Sequence, residues 1–239
     1  MKIAYIALAA SLFALVLLLI GGPGARLGFW EFPFGFQLLR YALYFGVAGA
    51  VLGALFLLIP ATRRNRITGL VFAVIIGVGV AAVPLQMRSM VQQYPFIHDV
   101  TTDTENPPGF VDILPLRADA PNPAEYAGED VAQQQRSGYP QLAPLHSSLE
   151  PSELFDHALA SARDPGWEIV AAEPESGRIE ATDTTFWYGF KDDIVIRIQP
   201  GESGSRLDIR SKSRVGGSDL GANAERIFAY LSDLERRID

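Results

Sequence analysis

Three uninterrupted apolar runs, Ile3–Ile20, Tyr41–Ile59 and Ile67–Leu85, dictate what the first third of this chain can become. Each is close to the ~20 residues that a helix needs to cross a hydrocarbon core of roughly 30 Å. None holds a charged side chain. Backbone groups in lipid must be bonded within their own segment, so each run predicts a membrane helix. The competing reading of the first run is a cleaved secretory leader. Its basic region is only Met1-Lys2, its apolar stretch exceeds the usual ~7–15 residues, and Gly21-Gly22-Pro23-Gly24 follows it without a small-x-small cleavage site. It reads as a retained helix, and residues 1–85 as a three-helix membrane anchor.

Basic residues predict the orientation. The short link Pro60–Arg66 carries Arg63, Arg64 and Arg66, which places it in the cytoplasm. The first link, Gly21–Arg40, carries only Arg26 and Arg40 and falls outside, so Lys2 and the N-terminus are inside. Three crossings put everything after Leu85 outside. In a bacterium with two membranes that is an inner-membrane protein with a periplasmic C-terminal domain. Phe29-Trp30-Glu31-Phe32-Pro33-Phe34-Gly35-Phe36 suits the head-group boundary, either as an anchor or as a lip receiving a lipid or partner helix. Gly46, Gly49 and Gly53, with Gly77 and Gly79, predict close helix packing within the unit or between protomers of a homo-oligomer.

Charge separates the two parts of the chain. The overall formal charge is −7; residues 1–85 carry six basic and one acidic residue, which leaves −12 on residues 86–239. A domain that acidic lacks the basic footprint that nucleic acid requires. It is also repelled by anionic lipid head groups. The chain has no cysteine. Disulfides, thiolate nucleophiles and Cys-ligated metals are thereby excluded.

Residues 86–147 read as a loop-rich connector that wraps the domain after it. Phe110–Leu114 is its one short expected strand. His98, Asp99 and Asp103 offer nitrogen and oxygen ligands for a metal, but with one imidazole and a spacing that matches no standard template. The alternative is a turn in which Asp and Thr side chains bond local amides.

Residues 148–239 predict an α+β outer domain: helix, four antiparallel strands, helix. The first helix starts near Pro151, capped by Ser148 or Ser152, with Leu154, Phe155, Ala158 and Ala162 on one face. The strands are Trp167–Ala171 (Trp167, Ile169 and Ala171 inward), Arg178–Trp187, Asp193–Gln199 and Ser205–Ser213. The last helix runs from about Asp219 to Ile238, its stripe made by Leu220, Ala224, Ile227, Leu231, Leu234 and Ile238. Arg178, Glu180, Thr182, Arg197, Asp208, Arg210 and Lys212 alternate onto the outer face, where a surface ladder of opposite charges is worth ~0.2–1 kcal/mol per pair. Asp219, Asn223 and Arg226 share one side of the last helix and can cluster with Arg214. Such a cluster either locks helix to sheet or binds a polar head group.

Four stretches carry a family resemblance: Gly166–Val170, Gly177–Thr182, Trp187–Asp193 and Ser211–Asn223. Across about residues 95–231 the chain resembles the domain-of-unknown-function family 1499 of bacteria and plastid-bearing organisms. The resemblance implies a bacterial setting and no catalytic residue. Some similar proteins carry paired cysteines early in the domain, a role closed to this chain.

Chemistry is sparse. The histidines His98, His146 and His157 fall in no Ser/His/Asp pattern, and Asp192 and Asp193 point to opposite faces of a strand. No phosphate loop or dinucleotide fingerprint is present, so no cofactor is expected. The leading expectation is a non-enzymatic module: a membrane-anchored domain that binds a lipid-like ligand or an envelope partner through Trp187, Phe190, Arg214, Asp219, Asn223 and Arg226. The alternative is a metal-dependent or hydrolytic envelope enzyme built on His98, Asp99 and Asp103.

Overall fold

The computed structural model describes residues 3–63 and 66–239; Lys2 and Arg64, two of the charges behind the expected orientation, lie outside the described residues. The chain forms two compact units. One is Met1–Met90 together with Phe186–Gly189, and the other is Val91–Thr185 with Phe190–Asp239.

The first unit holds helices α1 (Ile3–Arg26), α2 (Phe32–Leu57), a single turn α3 (Pro60–Arg63) and all but the last three residues of α4 (Ile67–Gln93). Three of them are long and apolar enough to cross a membrane. They outrun the apolar stretches. α1 continues through Pro23 to Arg26, and α2 starts at Phe32, so Phe32–Phe36 of the aromatic link lie in its first turns. Pro33 is tolerated there because the first helical amides have no intrahelical partner. The glycine ridge of α2 is used within the chain. A methyl group on Gly46 would come within 2.9 Å of the Gly77 carbonyl, and one on Gly53 within 3.1 Å of the Leu70 carbonyl. Gly49 lies against Ala7 and Ser11 of α1. Close backbone approach of this kind replaces the hydrophobic drive that lipid does not supply. Ser11 also donates to the Ala73 carbonyl at 2.7 Å, tying α1 to α4.

The second unit is α+β. Its sheet has six antiparallel strands, not four: β1 (Asp99–Thr101), β2 (Leu145–Ser147), β3 (Glu168–Glu173), β4 (Arg178–Thr184), β5 (Lys191–Gly201) and β6 (Gly204–Ser213). The order is β1-β6-β5-β4-β3, and β2 also pairs with β6. β1 takes residues 210–212 of β6 and β2 takes residues 205–207, so the two short strands lie end to end along one edge. Three-residue strands show no alternation to read. They exist because the free edge of β6 needs partners for its backbone groups.

Helices α5 (Glu129–Gly138), α6 (Pro151–Arg163) and α7 (Ala222–Ile238) complete the unit. Ile179, Ala181, Ile194, Ile196, Ile198, Leu207 and Ile209 meet Leu154, Phe155 and Ala158 of α6 and Ala224, Ile227 and Leu234 of α7 in one core. Trp167 stacks on Tyr230 at 5.4 Å.

Local details differ from expectation. A bulge between Ile169 and Ala171 shifts the alternation of β3, so Ala171 stands opposite Glu180 and Ala172 takes the core position instead. Phe110–Leu114 is a turn leading into a 3-10 turn at Leu114–Arg117, because its amides bond a carboxylate rather than a strand. The N-cap of α6 is Glu150, with no side-chain cap from Ser148 or Ser152. α7 starts at Ala222, after Leu220 at φ 56° and Gly221 at φ 88° break the helical path.

Candidate functional site

The outward positions of the sheet are where the structure departs most from a solvated charge ladder. Residues 104–126 cross them as a strap, and Glu180, Thr182, Asp193, Asp208, Arg210 and Lys212 are all buried. Successive outward residues at the end of β6 hold the strap by its backbone. Arg210 donates to the carbonyls of Pro108 (3.2 Å) and Ala124 (3.0 Å), Lys212 to that of Glu125 (2.6 Å), and Arg214 to that of Leu116 (2.8 Å). Glu180 takes the opposite role, accepting from the amides of Val111 (2.7 Å) and Ile113 (2.8 Å).

Two carboxylates organise the cations. Asp99 takes Arg210 in a two-point contact at 2.8 Å and Lys212 at 2.9 Å. Asp193 takes Arg117 at 2.7 Å, Arg214 through two nitrogens at 2.8 and 2.7 Å, and the Thr182 hydroxyl at 2.8 Å. The rings of Phe110 and Tyr126 lie 5.0 and 5.4 Å from the Arg210 guanidinium. Burial pushes the Lys212 amine below its ordinary value, against the pull of Asp99. Burial also raises the Glu180 carboxyl, more than the two amides lower it, and lifts the Tyr126 phenol to about 12.

A second polar cluster lies on the core face at the start of α7. Asp219 accepts from the amides of Gly221 (2.9 Å) and Asn223 (3.1 Å), and burial raises its pKa. Asn223 bonds Ser211 (2.6 Å), Ser213 (3.0 Å) and the His98 carbonyl (3.2 Å). Arg226 reaches Asp183 (2.9 Å), Asp192 (2.7 Å) and Asn223 (2.7 Å). The helix is thus fastened to β4, β5 and β6 by hydrogen bonds. Arg214 does not join this cluster. It lies one residue past Ser213 and points to the other face, as the alternation of a strand requires.

His98, Asp99 and Asp103 are not brought together. The His98 ring faces the Gly217 carbonyl at 3.4 Å, Asp99 is bound by Arg210 and Lys212, and Asp103 by Arg197 (3.2 Å) and Arg206 (2.7 Å). Among the described residues no group of three His, Cys, Asp or Glu has metal-holding geometry.

Trp187 and Phe190 also part. Phe190 closes a loop by donating to the Thr185 hydroxyl and accepting from the Thr185 amide, both at 2.8 Å. The four residues inside it, Phe186–Gly189, belong to the first unit. There the Trp187 indole covers Gly22, a position where any Cβ would collide with it. Tyr188 is buried beside Gly35, and its ring lies 4.9 Å from that of Phe36. Arg26 bonds the Phe186 carbonyl. Under these rings is an apolar crevice of about 320 Å³, lined by Leu18, Leu39, Val83, Met87, Trp187 and Tyr188.

Residues 99–234, more than half of the chain, match the family described as "Protein of unknown function (DUF1499)". The chain belongs to the DUF1499 family. No curated protein matches it. The DUF1499 span contains both charged clusters and the Trp187–Tyr188 tip, whereas Leu18, Leu39, Val83 and Met87 come from the segment that precedes it. Sequence reasoning missed Tyr188 and Arg117. For Tyr188 the sequence offers no local signal, because Gly21 and Gly35, which leave room for its ring, lie far from it along the chain. For Arg117 the sequence offers none.

Proposed function

We propose that this DUF1499 protein is a membrane-anchored binding protein that holds the apolar part of one lipid-like ligand against α1, α2, α4 and the Trp187–Tyr188 tip. The observation that carries the reading is the crevice. Its volume of about 320 Å³ is at the small end of the ~300–1,000 Å³ of small-molecule sites. All six lining residues are apolar or aromatic. A hydrocarbon chain gains roughly 25 cal/mol per Å² buried in such a place. The aromatic start of α2 supports the same reading, because Trp30, Phe34 and Phe36 supply rings at a membrane boundary.

The orientation belongs to this proposal as well. Arg63, Arg64 and Arg66 between the second and third spans favour a cytoplasmic link, so the DUF1499 domain stands on the far side, which is the periplasm in a two-membrane bacterium.

Native mass spectrometry of the full protein in mild detergent tests the function. The expected result is a bound mass that organic solvent removes. Val83→Phe, which fills the crevice, abolishes it, and Trp187→Ala, which removes one wall, weakens it. A bare protein, or an adduct indifferent to both substitutions, overturns the proposal. A second polypeptide carried by the bare protein makes it an assembly factor instead.

A further inference from the structure

We infer that the ligand of the crevice is an anionic amphiphile whose carboxylate or phosphate is met by Arg26, an inference that rests on the crevice reading above. Every group it uses lies in the first unit. Leu18, Gly22 and Arg26 follow one another at intervals of four on α1 and so share one face of the helix. Leu18 lines the crevice, and the Trp187 indole covers Gly22. Arg26 comes one turn later, about 12 Å along the helix axis from Leu18.

Arg26 is fixed where the walls of the crevice are fixed. It donates to the Phe186 carbonyl, and its guanidinium lies 5.8 Å from the centre of the Phe186 ring. A methyl group on Gly189 would come within 2.8 Å of its Cγ. Phe186 and Gly189 bracket Trp187 and Tyr188, the two aromatic residues of the lining. The cation is thereby held beside those rings.

The class of ligand follows from charge. Glu31 is the single carboxylate side chain among residues 1–90 and 186–189. Among the described residues Arg26 is met by a carbonyl and a ring face, not by a carboxylate. That carbonyl takes one nitrogen of an exposed guanidinium, which leaves further N–H donors of its planar fork for an oxyanion. A charge beside an apolar site is costly unless it is paired. The lining itself carries no charge, so a charged end of the ligand has to lie past the rings, where Arg26 stands. Arg40 and Arg88 adjoin the lining residues Leu39 and Met87, but neighbours on a helix point about 100° apart, so neither shares the lining face.

Bromine quenches tryptophan on contact, and Trp187 is a wall of the crevice. The full-length chain in a mild non-ionic detergent is titrated with ω-bromoundecanoate, ω-bromoundecyl phosphate and ω-bromoundecanol, at a pH where the carboxylate is ionised. Quenching that Val83→Phe removes is the crevice signal. Arg26→Gln is expected to raise the half-quenching concentration of at least one anion about tenfold while leaving that of the alcohol unchanged. Arg40→Gln, which changes the net charge equally, leaves all three unchanged. The anion that loses more tells a fatty-acid carboxylate from a phosphate head group. The same ratio of anion to alcohol in the wild type and in Arg26→Gln overturns the inference and leaves an apolar crevice standing, as does an equal loss in Arg40→Gln. If Arg26→Gln loses the alcohol too, the walls have moved and Arg26→Lys decides: the wild-type ratio supports the inference, and its loss overturns it. If no probe gives quenching that depends on Val83, the crevice reading itself falls.

Discussion

Asp99 and Lys212 stand directly opposite each other in the β1–β6 ladder, and their side chains form a 2.9 Å ion pair sealed from solvent. The pair is one half of a set, because Arg210 shares the same carboxylate. Taking charges out of water costs several kcal/mol per ion, and losing one partner leaves the other uncompensated.

Unequal effects from the two ends of that contact are therefore expected. Asp99→Ala strands both Arg210 and Lys212 and should destabilise the protein by about 3–5 kcal/mol. Lys212→Met leaves Asp99 paired with Arg210 and should cost clearly less. Denaturant unfolding in mild detergent, followed by tryptophan fluorescence, measures both. Equal losses would mean that Arg210 does not hold Asp99 in solution.

Glu180 makes a prediction about pH. Burial holds its carboxyl above the ordinary glutamate value. Between the ordinary and the raised value the native state keeps a proton that the unfolded chain has released. By linkage, its contribution to stability falls as pH rises through that window. Glu180→Gln removes this contribution. Melting midpoints compared from pH 4 to pH 7 should show that the difference, wild type minus variant, declines with rising pH. A flat or rising difference would contradict the burial of the carboxyl beneath the strap.

The helix contacts of the anchor predict a contrast between two nearby glycines. A methyl group on Gly77 meets the Gly46 carbonyl and lies 2.9 Å from the Ala50 amide nitrogen, whereas one on Gly79 meets nothing within 4 Å. Gly77→Ala should cost about 1–3 kcal/mol through overpacking. Gly79→Ala should be neutral or stabilise by roughly 0.5–1 kcal/mol, because glycine is a poor helix former. Thermal denaturation of the detergent-solubilised full chain separates the two.

What the sequence shows of this fold follows from how long each pattern runs. The spans and the core stripes of β5, β6 and α7 repeat over many residues, so Ile194, Ile196 and Ile198 can be placed by alternation alone. β1 and β2 cannot be seen, because three residues carry no period. The bulge at Val170 is hidden too, since Ala171 and Ala172 are alike in a pattern. Alternation also assigns Glu180, Arg210 and Lys212 to one face, but it cannot say whether water or protein covers that face. In the Asp219, Asn223 and Arg226 cluster, helical spacing brings Asn223 and Arg226 together, whereas Asp219 lies before the helix and joins them by accepting from the Gly221 and Asn223 amides. The parting of Arg214 from it follows from a strand period that continues past the last strand residue. The union of Trp187 with Gly22 joins positions far apart in sequence, and no local period reports it.

The strap has a consequence for how this surface can vary. Arg210, Lys212 and Arg214 hold it by main-chain carbonyls, and Glu180 by main-chain amides. Those groups are present whatever residue occupies each position, proline's missing amide aside. The route of the segment is therefore written in β4 and β6, while the lettering along much of it is free to drift. Related chains can then display different outer surfaces on an unchanged course, and a segment grafted in with new exposed residues would be guided along the same track.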